Sequence, residues 1–154
     1  MRLIDLLSPR AIIPSLKAST KKQALLELSE KAAGLCGLPP REIFDALLQR
    51  ERLGSTGIGD GVAIPHGKLA KLKTIHGVFA RLERPIDFEA LDGNPVDLIF
   101  LLITPESAGA DHLKALACAA RMLRDSEMVA TIRATKDPGA LYALVTEQSQ
   151  HHAA

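Results

Sequence analysis

The positions of apolar residues predict two helices near the start of the chain. Thr20 and Gln23 form a capping box that opens the first helix, and Gly34 is expected to end it. Its apolar face, with helical spacing, consists of Ala24, Leu25, Leu28 and Ala32. The Pro39-Pro40 pair marks the start of a second helix, which is expected to end near Gly54. Its buried stripe consists of Ile43, Phe44, Leu47 and Leu48.

The middle of the chain has the patterns of β-strands. Residues 62–64 form a short apolar run that stops at Pro65, which lacks the N–H needed in a sheet ladder. Residues 77–82 alternate between apolar and polar, as in a strand covered on one face. Residues 96–103 are almost continuously apolar, which predicts a central strand buried on both faces. A short extra pairing is expected at residues 86–88.

The last third of the chain is predicted to be helical. One stripe with helical spacing consists of His112, Leu116, Ala119, Ala120 and Leu123. Ser126 and the Asp137-Pro138 pair are expected to open two further helices. The order of helices, strands and helices predicts a three-layer α/β/α domain with a mixed β-sheet flanked by helices. We expect residues 1–149 to form this single domain and residues 150–154 to be a frayed tail.

Composition narrows the class of protein without identifying it. With 154 residues, of which 47% are hydrophobic and 24% charged, the chain suits one globular domain. The net charge of +1 gives no electrostatic reason to expect nucleic acid or an anionic membrane as a partner. Cys36 and Cys118 lack the spacing of a disulfide framework or a zinc site, so both are expected to be small buried residues. The sequence has no signal peptide and no membrane-spanning run, so a cytoplasmic location without membrane insertion is expected.

A glycine-rich loop at residues 53–61 is the first candidate for an anion-binding site. Its four glycines let backbone N–H groups approach an anion without an intervening Cβ. Ser55 and Thr56 are expected to add hydroxyl donors, so these two residues and Gly57 are candidates for cradling a phosphate. The loop matches neither the GxxxxGK[ST] pattern of a P-loop nor the GxSxG pattern of a nucleophile elbow. Alone it is weak evidence, because glycine-rich turns are common.

His66 follows this loop, between Pro65 and Gly67. We expect Pro65 to end a strand and to place His66 at its C-terminal end, where open α/β sheets bind ligands. Gly67 is expected to clear space beside the imidazole for a phosphoryl group or a partner. The imidazole is a competent nucleophile, because its ordinary pKa of about 6.5 leaves it largely neutral in the cytoplasm. The spacing alone also fits a hydrogen-bonded loop histidine without a catalytic role.

Arg50 and His112 are candidate partners of His66. Arg50 continues the buried stripe of the second helix. Its planar guanidinium therefore needs a negatively charged partner, either an anion such as phosphate or a carboxylate such as that of Glu51. His112 lies in the first turn of a later helix, where the helix dipole favours an anion. It fits either a capped, partly buried histidine or a second imidazole that stabilises a phosphoryl group on His66. Basic side chains nearby are expected to be mostly solvated, with some docking an acidic partner: Arg52, Lys68, Lys71 and Lys73.

The chain resembles the IIA proteins of the bacterial phosphotransferase system, of the mannitol/fructose type. The resemblance covers nearly the whole chain and rests on the continuous motif Gln49-Arg-Glu-Arg-Leu-Gly-Ser-Thr-Gly-Ile-Gly-Asp-Gly-Val-Ala-Ile-Pro-His66. It implies a mixed sheet with helices on both sides. It also implies phosphorylation of His66 on its tele nitrogen, Nε2, with help from Arg50 and from His112 as the neighbouring histidine. Neither a cofactor nor a metal ion is implied.

Within this family the chain most resembles the nitrogen-regulatory branch. The cues are the continuation Ile64-Pro-His-Gly-Lys-Leu69 and a stand-alone domain, although Asp60 stands where that branch often has Asn. The branch implies that a small histidine phosphocarrier protein donates the phosphoryl group to His66. It also implies that the phosphorylation state regulates target proteins, such as those of potassium transport and sensor-kinase-like proteins.

Three other interpretations stay open from the sequence. A sugar-specific IIA component, which passes phosphate to a IIB domain, would use the same site. A binding module whose histidine is never phosphorylated would also contain a hydrogen-bonded His66. A metal-dependent hydrolase is disfavoured, because His66 and His112 lack a third-ligand motif nearby.

Overall fold

The computed structural model describes the backbone of residues 1–151 and the side chains of residues 1–147. Within this part of the chain the helices are α1 (Lys21–Cys36), α2 (Pro40–Glu51), α3 (Ala110–Arg124), α4 (Ser126–Ala134) and α5 (Pro138–His151). The strands are β1 (Ile12–Leu16), β2 (Gly57–Gly59), β3 (Val62–Ala63), β4 (His66–Leu69), β5 (His76–Ile86) and β6 (Val96–Pro105). Short 3-10 helices lie at Leu3–Asp5, Pro9–Ala11 and Glu106–Ala108.

The sheet is built around β6, which contains the apolar run that predicted a central strand. Every residue of β6 except Asp97 is buried. β5 pairs antiparallel with one side of β6, and β3 and β4 both pair parallel with its other side. β1 pairs parallel with β5, and β2 pairs antiparallel with β3, which gives the order β1-β5-β6-β3-β2. The sheet is therefore mixed, as predicted.

Helices cover both faces of this sheet. α1 and α2 pack on one face, where Leu28 and Leu47 share a hydrophobic core with Ile99 of β6. α3, α4 and α5 pack on the other face, where the core includes Phe100 of β6 and Leu141 of α5. Because successive strand residues point to opposite faces, β6 supplies side chains to both cores. This arrangement confirms the three-layer α/β/α architecture.

The helix boundaries agree with the sequence prediction except at the end of α1. The backbone N–H of Gln23 donates to Thr20 Oγ1 at 3.1 Å, as the capping box requires. The prediction that Gly34 ends α1 is wrong, because the helix continues to Cys36 and ends at Gly37. Gly37 has a φ of 82°, the left-handed conformation that a helix C-terminus favours, whereas Gly34 stays helical.

The two later helices begin at the predicted Ser126 and Pro138. α5 continues to His151, so residues 150 and 151 of the predicted tail are helical. The rest of that tail, residues 152–154, lies outside the described residues.

Three strands were not predicted from the sequence, and each is short or carries residues that disfavour strands. β1 lies at one edge of the sheet and contains Pro14, which is tolerated there because an edge strand needs fewer N–H donors. β2 has three residues, of which two are glycines. β4 begins at His66, directly after a proline. Local sequence preference therefore gives no strand signal at β2 and β4, where pairing with neighbouring strands determines the structure, whereas β1 has only the short β-branched pair Ile12-Ile13 before Pro14.

The placement of His66 at the C-terminal end of a strand is wrong. β3 and β4 keep the same register along β6, since Ala63 pairs with Ile99 and His66 pairs with Leu102. They form one strand that is interrupted at Ile64 and Pro65, although the Pro65 carbonyl still accepts a hydrogen bond from Leu102 N at 3.0 Å. His66 therefore begins the second half of an interrupted strand.

Gly67 allows helix α2 to approach β4 closely. A Cβ built on Gly67 would lie 3.2 Å from Ala46 Cβ and 3.3 Å from the Ala46 carbonyl carbon. Gly67 is buried, and its lack of a side chain provides room for α2 rather than only for a ligand. This packing contact determines how near α2 lies to His66.

We expect Gly67→Ala to lower the free energy of unfolding by about 1–3 kcal/mol, because the added methyl group overpacks the contact with Ala46. Gly34→Ala is the matched control. It adds the same methyl group to a helical position with nothing within 4 Å, so it should raise stability by up to about 1 kcal/mol. Urea unfolding of both variants measures the difference. Equal stability of Gly67→Ala and the wild type would contradict tight packing of α2 on β4.

Candidate functional site

One ring nitrogen of His66 is fixed by a backbone carbonyl. Nδ1 of His66 lies 2.9 Å from the carbonyl oxygen of Ile64. A carbonyl oxygen only accepts hydrogen bonds, so Nδ1 carries the proton and donates it. In the neutral imidazole the other nitrogen, Nε2, then holds the lone pair. The local geometry thus places the lone pair of the ring on Nε2.

Arg50 reaches this nitrogen from helix α2. Its Nε–H donates to Nε2 of His66 at 3.2 Å, and its Nη1 donates to the carbonyl oxygen of Gly54 at 2.8 Å. The guanidinium therefore bridges His66 and the loop that follows α2. Glu51, the competing partner considered from the sequence, instead binds Thr56 and lies 3.4 Å from Lys21 Nζ. The Arg50 guanidinium is consequently directed toward the His66 imidazole.

His112 approaches His66 from the opposite layer. Its ring lies 5.5 Å from that of His66, centroid to centroid, with the two planes at 58°. Nδ1 of His112 is 2.8 Å from Oγ1 of Thr104, and both residues are buried. His112 is the third residue of α3, as the sequence prediction of a first-turn position requires. The site is thus assembled from α2 on one side of the sheet and α3 on the other.

Both imidazoles are kept neutral by their surroundings. Burial lowers the pKa of His66 below its ordinary value, and the Arg50 charge lowers it further, against the opposing effects of the Ile64 carbonyl and Glu51. Burial also lowers the pKa of His112, with smaller contributions from His66 and Lys68. A neutral His66 retains the lone pair that a nucleophile needs.

An open cavity of about 530 Å³ lies over these groups. His66, Arg50, His112 and Gly67 all line it, so the structure brings together four of the predicted site residues. Of the nearby basic residues, Lys68 also lines the cavity, whereas Lys71 lies 3.3 Å from Glu42. Further lining residues, which the sequence analysis did not single out, are Ala46, Gln49, Leu53 and Glu106.

The structure does not bring Ser55, Thr56 or Gly57 to this cavity. The Ser55 hydroxyl donates to the carbonyl oxygen of Phe88 at 2.8 Å and accepts from Gly57 N at 3.1 Å. Thr56 donates through both its backbone N–H and its hydroxyl to the Glu51 carboxylate. These donors therefore anchor the loop, Ser55 to the segment at Phe88 and Thr56 to the end of α2. Gly57 is needed for close packing, because a Cβ there would lie 2.7 Å from the Cβ of Ala90.

Thr104 is a site residue that the sequence analysis missed. It is fully buried near the end of β6, and its hydroxyl contacts His112. The available signal was a hydroxyl residue directly after the apolar run at 96–103. That signal does not reveal the contact, because only the packing of α3 on the sheet brings His112 to it.

Among residues 1–147 no three His, Cys, Asp or Glu side chains form a group that could hold a metal ion. In the same part of the chain no helix has both the length and the apolar character needed to cross a bilayer.

Comparison with known proteins defines the class of protein. Residues 5–148 match the sequence model of the family described as "Phosphoenolpyruvate-dependent sugar phosphotransferase system, EIIA 2". The match spans nearly the whole chain, and the chain therefore belongs to this family. Membership confirms the resemblance that the motif at 49–66 indicated, and it implies phosphoryl-transfer activity in general.

Within this family the chain is similar to nitrogen regulatory proteins. It is 59% identical over 145 residues to the nitrogen regulatory protein of Bradyrhizobium diazoefficiens, covering 94% of this chain and 95% of that protein. The nitrogen regulatory protein of Escherichia coli K12 is 41% identical over 149 residues, covering 96% of this chain and 91% of that protein. The crystal structure of IIA-Ntr from Neisseria meningitidis superposes with a TM-score of 0.88 at 34% identity, covering 92% of this chain and 97% of that one.

We expect the pKa of His66 to lie below the ordinary value of 6.5 and to rise in Arg50→Ala, which removes a positive charge beside the ring. Because the pKa is lowered, the His66 imidazole is mostly neutral at pH 6.5, and it becomes half protonated only at a lower pH. NMR titration of the ring carbon-bound protons measures both values. Arg52→Ala, at an exposed neighbouring position, should leave the titration unchanged. A wild-type pKa above 6.5 would contradict this account of the site.

Proposed function

We propose that the protein is a phosphohistidine-carrying regulator of the nitrogen-type phosphotransferase system. It accepts a phosphoryl group on Nε2 of His66 from a histidine phosphocarrier protein, and its phosphorylation state controls binding to target proteins. The observation that carries this proposal is the fixed orientation of His66, whose Nδ1 is held by Ile64 while Nε2 contacts Arg50. The cytoplasmic location expected from the sequence stays a prediction.

The proposed transfer follows from the contacts of His66. The lone pair on Nε2 attacks the phosphorus atom of the carrier's phosphohistidine. A new N–P bond forms as the carrier's N–P bond breaks, and the released electron pair returns to the carrier's nitrogen. Since Nδ1 keeps its proton, the His66 ring gains positive charge, which the Ile64 carbonyl at 2.9 Å stabilises. The protein then contributes mainly positioning and charge stabilisation.

Arg50 has two successive roles in this proposal. In the free protein its Nε–H occupies the lone pair of Nε2, so the guanidinium must turn away as the phosphoryl group arrives. The guanidinium then donates hydrogen bonds to the phosphoryl oxygens, and its positive charge balances their negative charge. The contact between Nη1 and the Gly54 carbonyl keeps the guanidinium beside the site during this change.

The surroundings of the cavity favour a protein as phosphoryl donor. Leu53 lines the cavity and is 84% exposed, and Leu113, next to His112, is 68% exposed. A docked carrier protein that covers these two side chains would remove their apolar surface from water, which favours association. Lys68 adds positive charge to the same cavity. We therefore propose that the carrier docks over Leu53 and Leu113.

Incubation with phosphoenolpyruvate and the carrier chain should add one phosphoryl group to the protein. The modification should be acid-labile and base-stable, as expected for phosphohistidine, and His66→Ala should abolish it. His76→Ala is the matched control, because His76 is another partly exposed histidine that lies outside the cavity. Mass spectrometry after each incubation measures the outcome. Persistent phosphorylation of His66→Ala would refute the assignment of the acceptor.

Arg50→Ala should slow phosphorylation by about 10²–10³-fold, because it removes the guanidinium that faces the phosphoryl oxygens once it has turned away from Nε2. Arg52→Ala should keep the wild-type rate, since Arg52 is exposed and does not line the cavity. Rapid-quench measurement of phosphoryl uptake gives both rates. Equal rates for the two variants would remove Arg50 from the mechanism.

The alternative role, as a sugar-specific IIA component, shares this chemistry and differs in the next acceptor. Incubating the phosphorylated protein with a sugar-specific IIB domain separates the two roles. Under the proposed function, loss of the phosphoryl group to IIB is much slower than loading. Transfer at a rate comparable to loading would instead support the sugar-specific role.

A further inference from the structure

The hydroxyl group of Thr104 contacts His112 inside the protein rather than at the surface of the cavity. Thr104 has no exposed surface, and its Oγ1 lies 2.8 Å from Nδ1 of His112. The position is otherwise apolar, because Leu102 and Ile103 precede it in β6 and are also fully buried. Valine has nearly the shape of threonine and would suit such a strand. The hydroxyl therefore needs an explanation other than packing.

The proton of this hydroxyl determines which tautomer His112 adopts. Among the described residues, Nδ1 of His112 is the one hydrogen-bond partner of the Thr104 hydroxyl. If Nδ1 carried a proton and donated it, the buried O–H of Thr104 would have no acceptor, which costs about 1–3 kcal/mol. If the O–H donates to Nδ1, both groups are satisfied. Nδ1 of His112 is then unprotonated, and the proton of the neutral ring lies on Nε2.

The opposite edge of the His112 ring remains available to the cavity. No described residue forms a hydrogen bond with Nε2 of His112, and no buried side-chain nitrogen or oxygen is without a partner, so this atom is not fully buried. His112 lines the same cavity as His66, with ring centroids 5.5 Å apart. A protonated Nε2 can donate to a phosphoryl oxygen on His66, whereas a lone pair there would repel that oxygen.

We infer that Thr104 is a positioning residue, which holds His112 in the tautomer with its proton on Nε2 so that His112 donates a hydrogen bond to the phosphoryl group on His66. The hydroxyl acts through His112 and does not contact the reacting atoms. The strand register supports this arrangement. On the adjacent strands β4 and β6, His66 pairs with Leu102 and Lys68 pairs with Thr104. Thr104 is therefore displaced by two residues from the partner of His66. Because residues two apart in a strand point to the same face, both side chains lie on the face that α3 covers.

The phosphoryl-transfer part of this inference rests on the proposed function, whereas the tautomer of His112 does not. Nitrogen-15 NMR of the unphosphorylated protein, at a pH at which both rings are neutral, distinguishes a protonated from an unprotonated ring nitrogen. We expect the wild type to show His112 with an unprotonated Nδ1 and a protonated Nε2. A wild-type spectrum with the proton on Nδ1 would overturn the inference, whatever the protein's function.

Thr104→Val and Thr104→Ser separate the hydroxyl from the packing of the side chain. Thr104→Val removes the hydroxyl at nearly constant shape, and we expect a mixture of His112 tautomers together with phosphorylation that is roughly fivefold to tenfold slower. Thr104→Ser keeps the hydroxyl and loses a methyl group, so the wild-type tautomer and rate should return. Slow phosphorylation in both variants, with the wild-type tautomer in each, would indicate a packing role and overturn the inference.

A double-variant cycle tests whether Thr104 acts through His112. Thr104→Val should slow phosphorylation in the wild-type background and have no further effect in His112→Ala, because the ring that it positions is then absent. Additive effects of the two substitutions would contradict a positioning role. If the wild type itself is never phosphorylated, the proposed function fails, and the NMR measurement still decides the tautomer of His112.

Discussion

Among the described strands β4 pairs only with β6, and the candidate site depends on this open edge of the sheet. β2 covers β3 but does not extend along β4. Helices from the two outer layers can therefore meet across His66, where a further strand would separate them. Arg50 comes from α2 on one face and His112 from α3 on the other. Such a site requires all three layers to be folded, because each layer supplies one of the three central side chains.

The electrostatics of the site combine two requirements that usually conflict. A histidine that accepts a phosphoryl group must be uncharged, because the imidazolium has no free lone pair, whereas the transferred group is an anion and needs positive charge nearby. Burial and the Arg50 guanidinium both lower the pKa of His66, so the cation that would suit a phosphoryl group also keeps the imidazole neutral. The anchoring of Arg50 to the Gly54 carbonyl limits how far this cation can move away. Charge and geometry thus support the same chemistry.

The sequence predicted the parts of the fold that depend on local pattern. The apolar run at 96–103 gave the central strand, and the helical stripes gave the faces of α1, α2 and α3. The short strands β2 and β4 were not predictable, because their glycines and the neighbouring proline disfavour strands locally. Arg50, His66 and His112 were identified from helical spacing and the family motif. The roles expected for Ser55 and Thr56 were not supported, because a sequence does not reveal which acceptors a hydroxyl will find after folding.

The two histidines differ in how their protons are held, and this difference has an evolutionary consequence. The carbonyl that binds Nδ1 of His66 belongs to the main chain, so it is present whatever side chain occupies position 64. The position of the proton on the His66 ring is therefore robust to a point mutation at position 64. The group that contacts Nδ1 of His112 is a side-chain hydroxyl, which a single codon change can delete. Natural variation can accordingly change the tautomer of His112 while the lone pair of the His66 ring stays on Nε2.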